Sequence, residues 1–380
     1  MKGLEQLERR IFVNEPVLNG NERKYLNECI DTNWISFEGP FVKRFEQGMA
    51  ELTQRKYGIA VSNGSVALDT AVIALRLGEG DEVIMPTFTI ISCAAAIVRC
   101  GATPVLVDAD PLTWNMCVED LEAKITPRTR AIMVVHIYGL PVDMDAVLAL
   151  AKKYHLAVIE DAAEMHGQTY NGRPCGSFGD ISTFSFYPNK HITCGEGGMV
   201  LTNDAALAER AKAARNLFFG KQRYVHEELG YNFRMTNLQA ALGCAQLERI
   251  EETVQKKRYI GRLYQELLSD RTELQLPIEH TSYAENIYWV FGMVLKDEVS
   301  IDATEMMERL AKEGIGTRGF FWPMHEQPVF RKMGLFENES YPVAEQLARR
   351  GFYIPSGLNL MDEDQRYVAT KINKVLDEVM

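Results

Sequence analysis

Cysteine is scarce and unpatterned, seven residues in 380, with no Cys-x-x-Cys pair and no spacing with histidine that suits a metal. That argues against a disulfide framework and against a zinc site, and the scattered thiols suit a reducing compartment. No apolar run approaches the roughly 20 residues that cross a bilayer, and the charged start Met-Lys-Gly-Leu-Glu-Gln-Leu-Glu-Arg-Arg has no apolar core for a secretory signal. The expectation is a cytoplasmic protein with no membrane partner and no bound metal. Blocks of like charge are missing too: the net charge of −11 comes from acidic and basic residues interspersed along the chain, which argues against a nucleic-acid partner. Repeats and low-complexity tracts are absent. So is a Gly-x-Gly-x-x-Gly after the first strand of the α/β region; Gly195-Glu-Gly-Gly198 is too short and misplaced, which argues against a Rossmann dehydrogenase.

What the chain does have is an ordinary soluble composition, 46% hydrophobic and 24% charged, with length for more than one domain. Short β-branched or apolar runs recur at Tyr57 to Val61, Glu82 to Met85, Thr103 to Val107, Ala131 to His136, Ala157 to Glu160, Ile181 to Phe186 and Gly198 to Thr202. Helical spacing fills intervals such as Ser65 to Leu77, Val142 to Tyr154 and Ala205 to Asn216. Alternation of this kind predicts an α/β fold with mostly parallel strands. Beyond Asn237 the pattern predicts one long helix, Leu238 through Leu268, and then a smaller α+β unit. Strands are expected there at Ile287 to Leu295 and Gly316 to Phe321, and helices near Ala303 to Lys312, Tyr341 to Arg350 and Asp362 to Val379. The expected division is a large domain over residues 31–250 and a small domain of 1–30 with 251–380, separated by a cleft.

Three segments carry chemistry. Phe184-Ser-Phe-Tyr-Pro-Asn-Lys190 sets a lysine after a strand and before a glycine-rich turn, where its amine can form a Schiff base with a carbonyl. Taken alone, Lys190 also reads as a surface lysine. Asp161, in Val158-Ile-Glu-Asp161-Ala-Ala-Glu164, falls at the C-terminal end of a buried strand, where open α/β sheets bind ligands. There it can pair with a pyridinium nitrogen or simply cap the next turn. Ser62-Asn-Gly64-Ser65 follows a strand and opens a helix, so it can cradle a phosphate or supply an ordinary cap. Ser185 can add a hydroxyl, and Gly195, Gly197 and Gly198 allow a turn with positive φ. A Schiff-base lysine, a ring-nitrogen partner and a phosphate site together suit pyridoxal 5'-phosphate.

In this order the motifs resemble the DegT/DnrJ/EryC1/StrS family of sugar aminotransferases over nearly the whole chain. The most specific segments are the Lys190 motif and Gly230-Tyr-Asn-Phe-Arg-Met-Thr-Asn-Leu-Gln-Ala-Ala241. The resemblance implies pyridoxal phosphate fold type I, an α/β/α sandwich around a mostly parallel, mixed sheet with a smaller α+β domain. It implies Lys190 as the Schiff-base lysine, Asp161 on the ring nitrogen, Glu164 beside the cofactor, and Gly64, Ser65 and Ser185 on the phosphate. Asn232 would reach the phosphate of a neighbouring subunit, making a homodimer with a shared site, and Arg234 would lie near that interface. Asn33-Trp-Ile-Ser36 and Thr317-Arg-Gly-Phe-Phe-Trp-Pro-Met-His325 further resemble members that aminate carbon 4 of GDP-4-keto-6-deoxymannose with L-glutamate. On that likeness Trp34, Ser36, Arg318 and His325 would meet the nucleotide sugar. A dTDP- or UDP-linked keto sugar is the alternative substrate, and the downstream product would serve a surface polysaccharide such as O-antigen.

Two departures from the family pattern matter. Ile90 stands where the family commonly has an aromatic residue stacked on the cofactor ring, and Phe88, on the same face by strand alternation, is a candidate replacement. The flanks of Lys190 also resemble GDP-keto-sugar 3-dehydratases, which carry histidine at that position; a lysine there favours amination, and His191 is expected to pack against the motif. A regulatory or binding protein that retains the fold without turnover is the reading of a different class, and Lys190, Asp161 and Glu164 together argue against it. Trp114, Trp289 and Phe352 read as core or interface aromatics.

Overall fold

The structure is a computed structural model and describes residues 10–222 and 224–379. Its centre is a seven-stranded sheet of β1 (Tyr57–Val61), β2 (Glu82–Pro86), β3 (Thr103–Val107), β4 (Thr129–Val135), β5 (Ala157–Asp161), β8 (Ile181–Ser185) and β9 (Gly198–Thr202) in the order β1-β9-β8-β5-β4-β2-β3; β6 (Thr169–Tyr170) and β7 (Arg173–Pro174) form a separate small hairpin. Strand β9 runs antiparallel to both neighbours, and the remaining pairs are parallel. The sheet is mixed but mostly parallel, as expected.

Both faces are buried, and strand alternation divides the core between them. Ala131, Met133 and Val135 of β4 join one hydrophobic cluster while Ile132 and Val134 join the other. The first face is covered by α3 (Gly64–Ala74), α4 (Ile91–Arg99) and α6 (Ala205–Arg215), the second by α2 (Pro40–Leu52), α5 (Met144–Tyr154) and α7 (Asn237–Leu247), which yields the α/β/α sandwich. Strand ends for β4, β5 and β8 fall within a residue or so of expectation. Helix α4, which follows the Pro86-Thr-Phe-Thr89 segment, was not foreseen.

The single helix expected over 238–268 is two helices, α7 and α8 (Ile250–Leu268). Neither glycine nor proline causes the break. The halves pack on different partners: α7 on α2 and on α1 (Glu22–Asp31), α8 on α12 (Asp362–Val379). At the joint the Glu248 carboxylate accepts bonds from Asn21, Tyr25 and Arg44. Helix propensity is continuous through this stretch, and tertiary packing overrides it. The start of α7 is closed by a full capping box between Thr236 and Gln239.

The C-terminal part forms a four-stranded antiparallel sheet, β10 (Leu274–Gln275), β11 (Phe291–Leu295), β13 (Gly351–Ile354) and β12 (Arg318–Gly319) in that order, with α9 (Ala303–Lys312), α10 (Pro328–Lys332), α11 (Pro342–Arg350) and α12 around it. Ile11 bridges to Ile315, so residue 11 lies with this sheet. Helix α1, also within the expected 1–30 segment, instead contributes Tyr25 and Cys29 to the core beneath the large sheet; residues 1–9 of that segment lie outside the described residues. Among the described residues no helix is long and apolar enough to cross a membrane.

Candidate active site

The C-terminal ends of β4, β5 and β8, the start of α3, and the turn before α4 open on one cavity of about 650 Å³, roofed by Trp289, Arg318 and Tyr353 from the second sheet and its approaches. Open α/β sheets place ligands at this edge because the strand ends leave a crevice lined by loops and helix N-termini. Lys190, Asp161, Glu164, Gly64, Ser65, Ser185, Ile90 and Arg318 all line it. Residues separated by more than 250 positions in the chain are thus brought to one surface by the topology alone.

At the cradle, Asn63 caps α3, its side-chain oxygen accepting from the Val66 N–H at 3.0 Å. The capping role is thus filled by Asn63, and Ser65 is left to line the cavity. The Ser65 hydroxyl lies 2.7 Å from that of Ser92 on α4. Gly64 has no room for a side chain: a Cβ there would sit 2.5 Å from the Cβ of Ser185. Of the three glycines expected at positive φ, Gly195 is the one that adopts it; Gly198 is needed for close approach, since its Cβ would meet the Asn63 carbonyl oxygen at 2.3 Å. Gly198→Ala is expected to destabilise the protein by about 1–3 kcal/mol and to loosen phosphate binding, measured by thermal unfolding with and without inorganic phosphate; an unchanged melting temperature would refute it.

Asp161 is 3% exposed at the end of β5. One carboxylate oxygen accepts from the Ala163 N–H at 3.1 Å and the other from the Cys93 thiol at 3.3 Å. Burial raises its pKa, against these hydrogen bonds and the nearby Lys190 charge. A buried carboxylate with one weak thiol donor on its second oxygen is suited to a cationic ring N–H, which would stabilise the charged form. Next along, Glu164 accepts the Tyr138 N–H at 2.6 Å and lies 3.7 Å from the Lys190 amine. Burial pushes the Glu164 carboxyl up to about 8 and holds the Lys190 amine below its usual value. Burial works against both charges, so less proton affinity has to be overcome to give the nucleophilic amine than at an exposed lysine. The donor set, the cradle without side chains and the buried lysine fit pyridoxal phosphate.

Several residues differ from expectation. Phe88 does not face the cavity; it is fully buried against Tyr138, Phe320 and Phe321, because the chain leaves strand geometry after Pro86 and alternation no longer applies. Ile90, 43% exposed, lines the cavity itself. His325 is buried outside the cavity, between the Thr87 hydroxyl at 2.9 Å and the Glu345 carboxylate at 3.1 Å. Trp34 and Ser36 also lie outside this chain's own cavity, as does Asn232, whose expected contact is with a neighbouring subunit. His191 is buried, its Nδ1 3.2 Å from the His166 carbonyl, packed against the motif as expected. Trp289, read from the sequence as a core aromatic, is buried but also lines the cavity, its ring centroid 3.6 Å from the Lys190 amine. His136 was missed as well. Its Nδ1 accepts the Val142 N–H at 3.1 Å, so its other nitrogen donates to Glu160 at 3.2 Å, which fixes a neutral tautomer at the cavity wall. Its position at the end of a predicted strand was the available signal.

A crevice at the parallel-strand ends with a lysine, a carboxylate and an anion cradle defines a fold type I pyridoxal phosphate enzyme. Residues 16–373 match the model of the DegT/DnrJ/EryC1/StrS aminotransferase family, and the chain belongs to that family. It is similar to GDP-perosamine synthase of Escherichia coli O157:H7, 42% identical across 96% of this chain and 98% of that one, and to GDP-perosamine synthase of Caulobacter vibrioides, 41% identical across 97% and 98%. Among solved structures, an aminotransferase from Psychrobacter cryohalolentis superposes with a TM-score of 0.91 at 31% identity, covering 97% of this chain and 99% of that one. The protein is an aminotransferase that uses pyridoxal phosphate.

Proposed function

We propose that this aminotransferase moves the amino group of L-glutamate to carbon 4 of GDP-4-keto-6-deoxy-D-mannose, giving GDP-perosamine. The observation that carries the substrate is the likeness, along nearly the full length of both chains, to proteins named for that product. Lys190 supports amination over dehydration, because a lysine can both bond the cofactor carbonyl and carry a proton, whereas a histidine can only do the second. Arg318 at the cavity mouth suits a diphosphate, with a planar, permanently charged fork of donors.

In this reading Asp161 would hold the cofactor ring nitrogen, Gly64, Ser65 and Ser185 would hold its phosphate, and Ile90 would offer the ring an aliphatic surface. Bound there, pyridoxal phosphate supplies an aldehyde that takes up amines and a ring that withdraws electrons from the substrate carbon. With the cofactor bound, Lys190 would be the residue that holds its aldehyde carbon, and the free Nζ would take the proton from the glutamate α-carbon. In the second half-reaction the same Nζ delivers a proton at carbon 4 of the sugar. Glu164, held by the Tyr138 N–H, keeps a second proton-accepting group beside that amine.

The same reading makes the active unit a homodimer. Asn232 is exposed, with the exposed apolar residues Leu229 and Tyr231 beside it. The segment carrying Trp34 and Ser36 joins this surface: the Asn237 side chain donates to the Trp34 carbonyl at 2.6 Å, and Arg234 lies over the Phe37 ring at 5.0 Å. A second copy's cavity would take Asn232 together with the segment of Trp34 and Ser36.

Incubating the holoenzyme with L-glutamate and GDP-4-keto-6-deoxymannose is expected to give a GDP-linked amino sugar and an equal amount of 2-oxoglutarate. Mass spectrometry checks it. A 3-deoxy product without nitrogen, or turnover confined to dTDP- or UDP-linked sugars, would overturn the assignment.

A further inference from the structure

Lys257 on α8 is 2% exposed, and among the described residues no charged partner offsets its burial, which pushes its amine down to about 7. Its Nζ instead donates to two backbone carbonyls, Trp289 at 2.7 Å and Ser356 at 2.6 Å. Burying an amine is costly, and an apolar side chain of similar length would fill the space without that penalty. The acceptors explain its place. Trp289 is gripped at both ends: its carbonyl by Lys257, and its indole by the Nε1–H bond to the Asn189 carbonyl at 2.8 Å, one residue before Lys190. Between those two bonds the flat face of the indole lies under the Lys190 amine, 3.6 Å from Nζ to ring centroid, with Glu164 on the other side at 3.7 Å.

We infer that Trp289 is the seat on which the Lys190 amine rests whenever it is not bonded to the cofactor, and that Lys257 is the positioning residue that fixes this seat. The inference rests on the proposed role of Lys190. In each half-reaction the amine is released and must find the same carbon again, while a four-carbon side chain is free to turn away. An indole face attracts the ammonium through its π electrons, and holding a reactant within about an ångström of its working position can be worth about a hundredfold in rate. The groups that face this amine are the Glu164 and Asp161 carboxylates and the Cys93 thiol, with His166 and His191 behind the motif. All of them remain in a Trp289 variant, so its effect reports the ring.

The test compares Trp289→Leu, which removes the ring, with Trp289→Phe, which keeps a π face, each as holoenzyme of equal cofactor content. Trp289→Leu is expected to lower kcat by about 10- to 100-fold, leave KM for glutamate within about threefold, and move the pH midpoint of the absorbance band from the Lys190–cofactor bond. Trp289→Phe, which keeps a π face but loses the N–H bond to Asn189, should fall between the parent and Trp289→Leu in both readouts. Lys257→Met should shift both readouts in the direction of Trp289→Leu, by less. Wild-type kcat and midpoint in Trp289→Leu would overturn the inference, as would a loss confined to KM, which would make Trp289 only a wall of the substrate pocket. If Lys257→Met does not fold, the Trp289 pair still decides. Failure here is separable from failure of the underlying role: a Lys190→Ala variant that kept the band would remove that role, whereas a normal band and normal kcat in Trp289→Leu remove only the seat.

Discussion

Lys190→Ala is expected to lose at least about 10⁴-fold in turnover, at the upper end of what a positioned proton-transfer group contributes, and to lose the absorbance band of the covalent bond to the cofactor. The expectation follows from place as much as residue type. The Lys190 side chain is about nine-tenths buried, with Glu164 3.7 Å away and Trp289 under its amine. Its amine is held below the usual lysine value, chiefly by burial and against the pull of Glu164 and Asp161. No other lysine lines the cavity among the described residues, so no second amine can substitute. Lys190→Arg is the sharper control: it keeps a charge, lacks a nucleophilic amine, and should be as inactive as the alanine variant. Spectra of the purified variants, with cofactor added, check both. A Lys190→Ala protein with the band intact would end the assignment.

Asp161→Asn is expected to lower kcat by at least about 10²-fold while leaving the fold in place. Asparagine has nearly the same shape, and its carbonyl oxygen can still accept the Ala163 N–H that Asp161 holds at 3.1 Å. What it lacks is the charge. Asp161 sits where burial works against ionisation and its second oxygen has only the Cys93 thiol, so a cationic ring nitrogen is the partner that would make its negative charge favourable. An amide cannot keep that nitrogen protonated, and the ring would lose much of its electron-withdrawing power. Weaker cofactor retention on dialysis should accompany the loss. If Asp161→Asn kept kcat within threefold of the parent, the carboxylate would be no more than the local cap that its bond to Ala163 N–H also describes.

The strands that deliver these residues were legible because buried parallel strands are short apolar runs with helical intervals between them. The break at Glu248 and Arg249 was not, since what ends α7 is the need of two helices to pack on separate partners. Phe88 shows a similar limit: period-two alternation assigns a face only while the chain remains extended, and the strand stops at Pro86. His325 was placed by resemblance among substrate contacts, yet its ring is committed to Thr87 and Glu345. Trp289 left no local signal, because its part in the site comes from a neighbour 99 positions earlier in the chain.

By itself, the sequence determined the chemistry available: one lysine in the right motif, a carboxylate at a strand end, a glycine-serine turn opening a helix, and a family pattern running from end to end. Those are properties of residue type and local order, which short-range geometry and spacing record. Only the tertiary structure decided which groups meet and in what state. Burial holds the Lys190 amine below its usual value and raises Glu164, the Gly64 and Gly198 contacts close the cradle, and the Lys257 to Trp289 contact sets an indole beneath the amine. These depend on distances between segments far apart in the chain and on the water they exclude, and neither quantity is written in any one stretch of it.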